Sequence, residues 1–121
     1  WERKITLIVP VPLHSRRKRK RGFNQAEIVA KVLSENTGIA MDAGAVKRIK
    51  ATSPQKELGD KGRKRNIRGA FAVQKNVKGE NIVLIDDIYT TGSTLDEAAR
   101  VLKKAGAENV YFLTVSIGQG I

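Results

Sequence analysis

Residues 81 to 115 decide most of what this chain can fold into. An apolar run, NIVLID (81–86), is followed by a short hydroxyl-and-glycine stretch. Next comes an amphipathic segment (94–105) with Leu95, Ala98, Ala99, Leu102 and Ala105 spaced three and four apart. Gly106 closes it, and a second apolar run, NVYFLTV (109–115), follows. Continuous apolar runs suit strands covered on both faces, and the three-and-four spacing suits a helix with one buried stripe. A strand, a helix and a strand in that order predict a layered α/β fold with a mainly parallel sheet.

The upstream half repeats the pattern more weakly. ITLIVPV (5–11) reads as a buried strand ended by Pro10 and Pro12, and NQAEIVAKVLSENTG (24–38) as a helix with Ile28, Val29, Val32 and Leu33 on its apolar face and Gly38 at its end. A weaker strand is expected at 45–49 and another at GAFAV (69–73). Between them lie about twenty polar residues broken by Pro54, Gly59 and Gly62, a length that usually marks a functional or disordered connection. At 121 residues the chain is expected to form one domain.

Composition removes several classes. With no cysteine, neither a disulfide framework nor a thiolate metal site can form, which favours an intracellular, cytoplasmic setting. The longest apolar run, about Ile5 to Leu13, is too short to span a bilayer, so no membrane insertion is expected. The chain starts at Trp1, as a piece of a longer protein would.

The net charge of +11 is unevenly placed: residues 1–79 hold 20 Lys+Arg against 6 Asp+Glu, and residues 80–121 hold 3 against 6. The excess lies in HSRRKRKRGFNQ (14–25) and in 47–69. Such a surface attracts polyanions, either the phosphates of a small ligand or nucleic acid, although solvated basic loops would look the same. A nuclear-localisation reading of RRKRKR (16–21) fits poorly between a strand and a helix.

Against that background two adjacent acids, Asp86 and Asp87, end the strongest strand. Alternation sends one carboxylate to each side of the strand end, and like charges there are unfavourable without a use, although a turn-initiating pair is the plain alternative. The TTGST that follows places four hydroxyls around Gly92, which can take a left-handed conformation; Thr94 with Glu97 fits a capping box at a helix start. A helix N-terminus with free amides and small hydroxyl residues suits a monophosphate, or is simply a helix cap. Neither a Walker loop nor a dinucleotide GxGxxG occurs. Carboxylates accept bonds from vicinal hydroxyls and attract Mg²⁺, so acids beside a phosphate cradle describe a ribose 5-phosphate.

VLIDDIYTTGSTL (83–95) resembles the 5-phosphoribosyl-1-diphosphate (PRPP) motif of the type I phosphoribosyltransferases. VPVPLHSRRKRKRGFNQAE, TSPQKELGDKGRKRNIRGAF and that motif together resemble the ComF family, over nearly the whole chain. The resemblance implies a phosphoribosyltransferase-like α/β domain over residues 1–121 with a mainly parallel five-stranded sheet flanked by helices. Members of that family usually carry a cysteine-rich, zinc-binding segment ahead of this domain, so the chain would be the C-terminal part of a longer protein or a shortened relative.

By similarity Asp86 and Asp87 are the catalytic pair, holding the ribose hydroxyls directly or through Mg²⁺, and Thr90, Thr91, Gly92, Ser93 and Thr94 hold the 5-phosphate. Leu13, His14, Arg16 and Arg17 match the pyrophosphate loop, with a structural histidine as the alternative for His14. Lys56, Lys61, Arg63, Lys64 and Arg65 match a loop that closes over PRPP. The implied activity is Mg²⁺-dependent phosphoribosyl transfer to an unknown acceptor. The alternative is a nucleic-acid-handling role in DNA uptake, with single-stranded DNA held by Arg16, Arg17, Lys18, Arg19, Lys20 and Arg21. Only Phe23 and Phe71 lie near those basic stretches to stack on bases. A homodimer is a weaker implication of the same resemblance.

Overall fold

The computed structural model describes residues 4–12, 25–49, 67–87 and 92–115. Its centre is a parallel sheet built from β1 (Leu7–Pro10), β2 (Ala40–Met41), β5 (Asn81–Asp87) and β6 (Asn109–Val115), in the order β2-β1-β5-β6. The remaining strands, β3 (Val46–Arg48) and β4 (Phe71–Val73), pair antiparallel as a separate ribbon. Helices α1 (Gln25–Thr37) and α2 (Gly92–Lys104) complete the described residues' regular structure.

The expected α/β architecture with a mainly parallel sheet is therefore present. Among the described residues the main sheet has four strands rather than five, because 46–48 and 71–73 pair with each other. β2 was not legible in the sequence. It is two residues long and exists through pairing of Leu7 and Ile8 with Ala40 and Met41.

Alternation along β5 divides the core. Ile82 and Leu84 join Val9, Val11, Leu95, Ala98 and Leu102 on the α2 side. Ile85, with Val83 packed beside it, joins Ile8, Ala26 and Ala30 on the α1 side. Ile82, Leu84, Ile85 and Leu102 are completely buried; burying a side chain of that size is worth about 1.5–3 kcal/mol.

Three sequence expectations change at this level. Helix α1 rests on Ala26 and Ala30, flanked by Val29 and Leu33, so its small side chains let it approach the sheet closely. Ile28 and Val32, expected on the buried face, are instead 46% and 50% exposed. Ala105 lies beyond α2 and is exposed. The run NVYFLTV is not a buried strand: among the described residues β6 pairs with β5 alone and ends the sheet, leaving Phe112 and Leu113 on opposite faces at 47% and 43% exposure.

Both helices end as their glycines predicted. Gly38 (φ 76°) donates to the Ser34 carbonyl at 2.9 Å. At the end of α2, Gly106 (φ 108°) donates to Lys103 O and Ala107 to Leu102 O, the paired bonds of a Schellman cap. The N-terminal edge of the sheet is tied by polar groups: Asn109 Nδ2 donates to Asn81 Oδ1 at 2.8 Å, the Asn81 amide donates to Thr6 Oγ1, and that hydroxyl donates to Glu80. The opposite edge carries the acids.

Candidate phosphoribosyl site

All four strands of the main sheet run the same way, so their carboxyl ends share one edge, and in such sheets ligands sit there. β1 stops at Pro10, opposite Ile85, and Val11 N donates to Ile85 O at 2.9 Å. β5 continues two residues further, carrying Asp86 opposite Thr114 and Asp87 opposite Val115. The acids thus project past the neighbouring strand on the inner side of the sheet.

Both carboxylates are buried, at 2% and 5% exposure. By alternation Asp86 continues the row of Ile82 and Leu84 on the α2 side, and Asp87 the row of Val83 and Ile85 on the α1 side. The Asp87 amide donates to Asp86 Oδ1 at 2.8 Å, fixing the first carboxylate against the backbone of the second. Among the described residues no group of three or more His, Cys, Asp or Glu converges. Two hard carboxylate oxygens without a protein cage are the donor set Mg²⁺ accepts when water and substrate oxygens complete its shell, so the pair fits that ion.

Five residues beyond Asp87, α2 begins at Gly92. Gly92 is helical, so it does not supply the left-handed turn expected of it. It supplies open space instead: a Cβ there would meet nothing within 4 Å. Ser93 is half-buried and Thr94 is buried at 5% exposure within the first turn. Asp86 and Asp87 thus end β5, and Gly92, Ser93 and Thr94 open α2. Leu13, His14, Arg16, Arg17, Lys18, Arg19, Lys20, Arg21, Lys56, Lys61, Arg63, Lys64, Arg65, Thr90 and Thr91 lie outside the described residues.

The expected capping box is replaced by another arrangement. The helix starts two residues before Thr94, so Thr94 is not at the cap position. Glu97, buried at 6% exposure, turns instead toward Gly69 and Arg100. Its Oε2 accepts from the Gly69 amide at 3.0 Å and from Arg100 Nη2 at 2.7 Å, and its Oε1 accepts from Arg100 Nε at 2.8 Å. The Arg100 guanidinium holds the Glu97 carboxyl below its ordinary range; burial opposes this, and the Gly69 bond and the charges of Arg100 and Arg68 assist. The same pairing raises Arg100. Sequence spacing suggested a cap because Thr-x-x-Glu is shared by both arrangements; no local signal distinguishes them.

Comparison with known proteins agrees with this geometry. The phosphoribosyl transferase domain family matches residues 6–117. The DNA utilization protein YhgH of Salmonella typhi is 43% identical over 103 residues, covering 85% of this chain and 45% of that protein. Competence protein F of Haemophilus influenzae is 42% identical over 106 residues (85% and 46%), and competence protein ComFC of Bacillus subtilis 36% over 112 residues (90% and 43%). The chain spans less than half the length of these relatives. Among solved structures, the allosteric regulatory enzyme of purine biosynthesis superposes with a TM-score of 0.59 over 94% of this chain and 22% of that one, at 20% identity, a likeness of fold alone. The chain belongs to the phosphoribosyl transferase domain family, in its ComF branch.

Proposed function

We propose that the chain binds PRPP, or another ribose 5-phosphate ligand, at the junction of β5 and α2, and transfers the phosphoribosyl group to an acceptor with Mg²⁺ present. The observation that carries this reading is the burial of Asp86 and Asp87 side by side at the carboxyl end of β5, five residues before α2 begins. The amides of Gly92 to Thr94 and the positive end of α2 receive the 5-phosphate. The two carboxylates accept bonds from the ribose hydroxyls, which orients C1 toward the acceptor.

In the transfer, the bond from C1 to the pyrophosphate oxygen breaks with its electron pair on pyrophosphate, and the acceptor nucleophile forms the new bond to C1. Positive charge develops on the ribosyl centre beside the two carboxylates, which oppose it in sign. Mg²⁺, met by Asp86 or Asp87 directly or through water or the ribose hydroxyls, would neutralise phosphate charge and orient the sugar. A cytoplasmic setting is part of this reading.

Calorimetric titration with PRPP, in Mg²⁺ and again in EDTA, tests the reading: Mg²⁺-dependent heat is expected, and no heat in Mg²⁺ refutes it.

A second reading has its own support in the names of the relatives, DNA utilization protein and competence proteins F and ComFC, together with the charge of +11. On that reading the basic stretches handle single-stranded DNA during uptake, with or without transfer chemistry. Binding would weaken steeply with salt, and it would fall when Arg16 to Arg21 are neutralised. Salt-insensitive binding, or none at all, excludes it.

A further inference from the structure

Glu97 is a buried acid that the reaction does not use, one helical turn from Thr94 and 28 residues in sequence from the amide it binds. That amide belongs to Gly69, which closes a turn between Ile67, buried in the core, and the fully buried Ala70. Gly69 sits at φ 75°, a left-handed conformation that other residues resist. Two further bonds hold this turn: Ala70 N donates to Ile67 O at 2.9 Å, and Ile49 N, at the end of β3, donates to Ala70 O at 2.8 Å. Through one carboxylate, then, the helix that opens at Gly92 is tied to the base of the β3–β4 ribbon.

The tie has an electrostatic condition. A carboxylate in the second turn of α2 adds negative charge close to the amides that would receive a phosphate. Arg100 meets that charge with a two-pronged contact, at 2.8 and 2.7 Å, leaving Oε2 able to accept from Gly69 as well. The contact is geometrically matched, since a guanidinium presents parallel donors to a carboxylate.

We propose that Glu97 is a positioning residue for the phosphate seat: it fixes the start of α2 against the Gly69 turn, and Arg100 keeps it aligned and electrically neutral toward the bound anion. This rests on the assignment of Gly92 to Thr94 as the seat of a ribose 5-phosphate. Glu97 touches no substrate atom and acts through the placement of the helix amides.

The test is titration of ribose 5-phosphate into wild type, Glu97→Ala, Glu97→Gln, Arg100→Met and Leu102→Ala, with thermal melting of each. Glu97→Ala strands the Gly69 amide and is expected to weaken binding about tenfold, whereas in Glu97→Gln the side-chain amide oxygen still accepts that bond and keeps affinity within about threefold. Leu102→Ala removes a fully buried side chain farther along the same helix. It is expected to lower the melting temperature with affinity unchanged, which separates positioning from general stability. Arg100→Met leaves the carboxylate with only the weaker influence of Arg68 against its charge and is expected to weaken binding, with rescue by Glu97→Gln in the same background, so the pair carries the test even if Glu97→Ala does not fold. Equal affinity of Glu97→Ala and wild type, failure of that rescue, or a loss in Leu102→Ala that tracks its melting temperature overturns the proposal. A wild type that does not bind ribose 5-phosphate overturns the seat itself and the proposal with it. A wild type that binds alongside an indifferent Glu97→Ala overturns the positioning role alone.

Discussion

Replacing Asp86 and Asp87 by asparagine, singly and together, separates the two parts of the proposed ligand. Asn keeps a side-chain oxygen, so the 2.8 Å bond from the Asp87 amide to position 86 survives in Asp86→Asn, and the volume of these nearly sealed positions is unchanged. What changes is charge. A hydrogen bond to a charged group contributes about 1.5–3 kcal/mol, so each substitution is expected to weaken ribose 5-phosphate binding about 10- to 150-fold. The residues are adjacent and share a hydrogen bond, so the double variant should lose less than the product of the single losses. Inorganic phosphate, which has no ribose diol for the acids to bind, should bind α2 at least as well in the variants, because one or both negative charges have gone. Parallel titrations with both ligands provide the assay. An equal loss for both would mean that the substitutions disturb the fold around the junction, and no loss for the sugar phosphate would mean that the acids do not meet the ribose.

Other expectations concern the scaffold. Leu84→Ala empties a completely buried position between β1 and α2 and should cost about 2–5 kcal/mol in chemical denaturation; a cost below about 1 kcal/mol would contradict the packing. Two glycines should respond in opposite directions to alanine. Gly106→Ala forces a side chain into φ 108° against the Lys78 backbone at 3.4 Å and should destabilise by at least about 1–2 kcal/mol. Gly92→Ala enters open space in a helix and should stabilise by up to about 1 kcal/mol, both read as shifts in melting temperature. Because the folded-state pKa of Glu97 is lowered, its contribution is fully present above the unfolded carboxylate value, about 4.3, and is lost as pH falls through the lower folded value. Acid titration of the melting temperature should therefore be flatter in Glu97→Gln over that window, and identical slopes would refute the pairing.

The strongest parts of the fold were legible because local and tertiary preferences agree there. β6 lies at 109–115 as its composition suggests, β5 extends only one residue past its expected end, and Gly106 ends α2 with the paired bonds that an αL glycine permits. What escaped was decided by neighbours distant in sequence. Ile28 and Val32 have the spacing of a buried stripe, yet the sheet selected Ala26 and Ala30, because small residues let the helix come closer. β6 has the composition of an interior strand, but composition does not report whether a second neighbour exists. At the site, Asp86 and Asp87 were legible because adjacent acids at the end of an apolar run are costly without a purpose. Glu97 was misread for the opposite reason: its partner amide is 28 residues away, and helix-start spacing accounts for it locally.

The β3–β4 ribbon leaves the chain at Ile49 and takes it back at Ala70, two residues joined by one backbone hydrogen bond of 2.8 Å. An exit and a return so close together act as a socket. With the turn from Ile67 to Ala70 kept, since Ile67 sits in the core and Gly69 binds Glu97, closing a longer span adds only about 0.6 kcal/mol for each doubling of length. Segments exchanged among relatives between Ile49 and Ile67, with the Ile67–Ala70 turn kept, should therefore leave the parallel sheet in register.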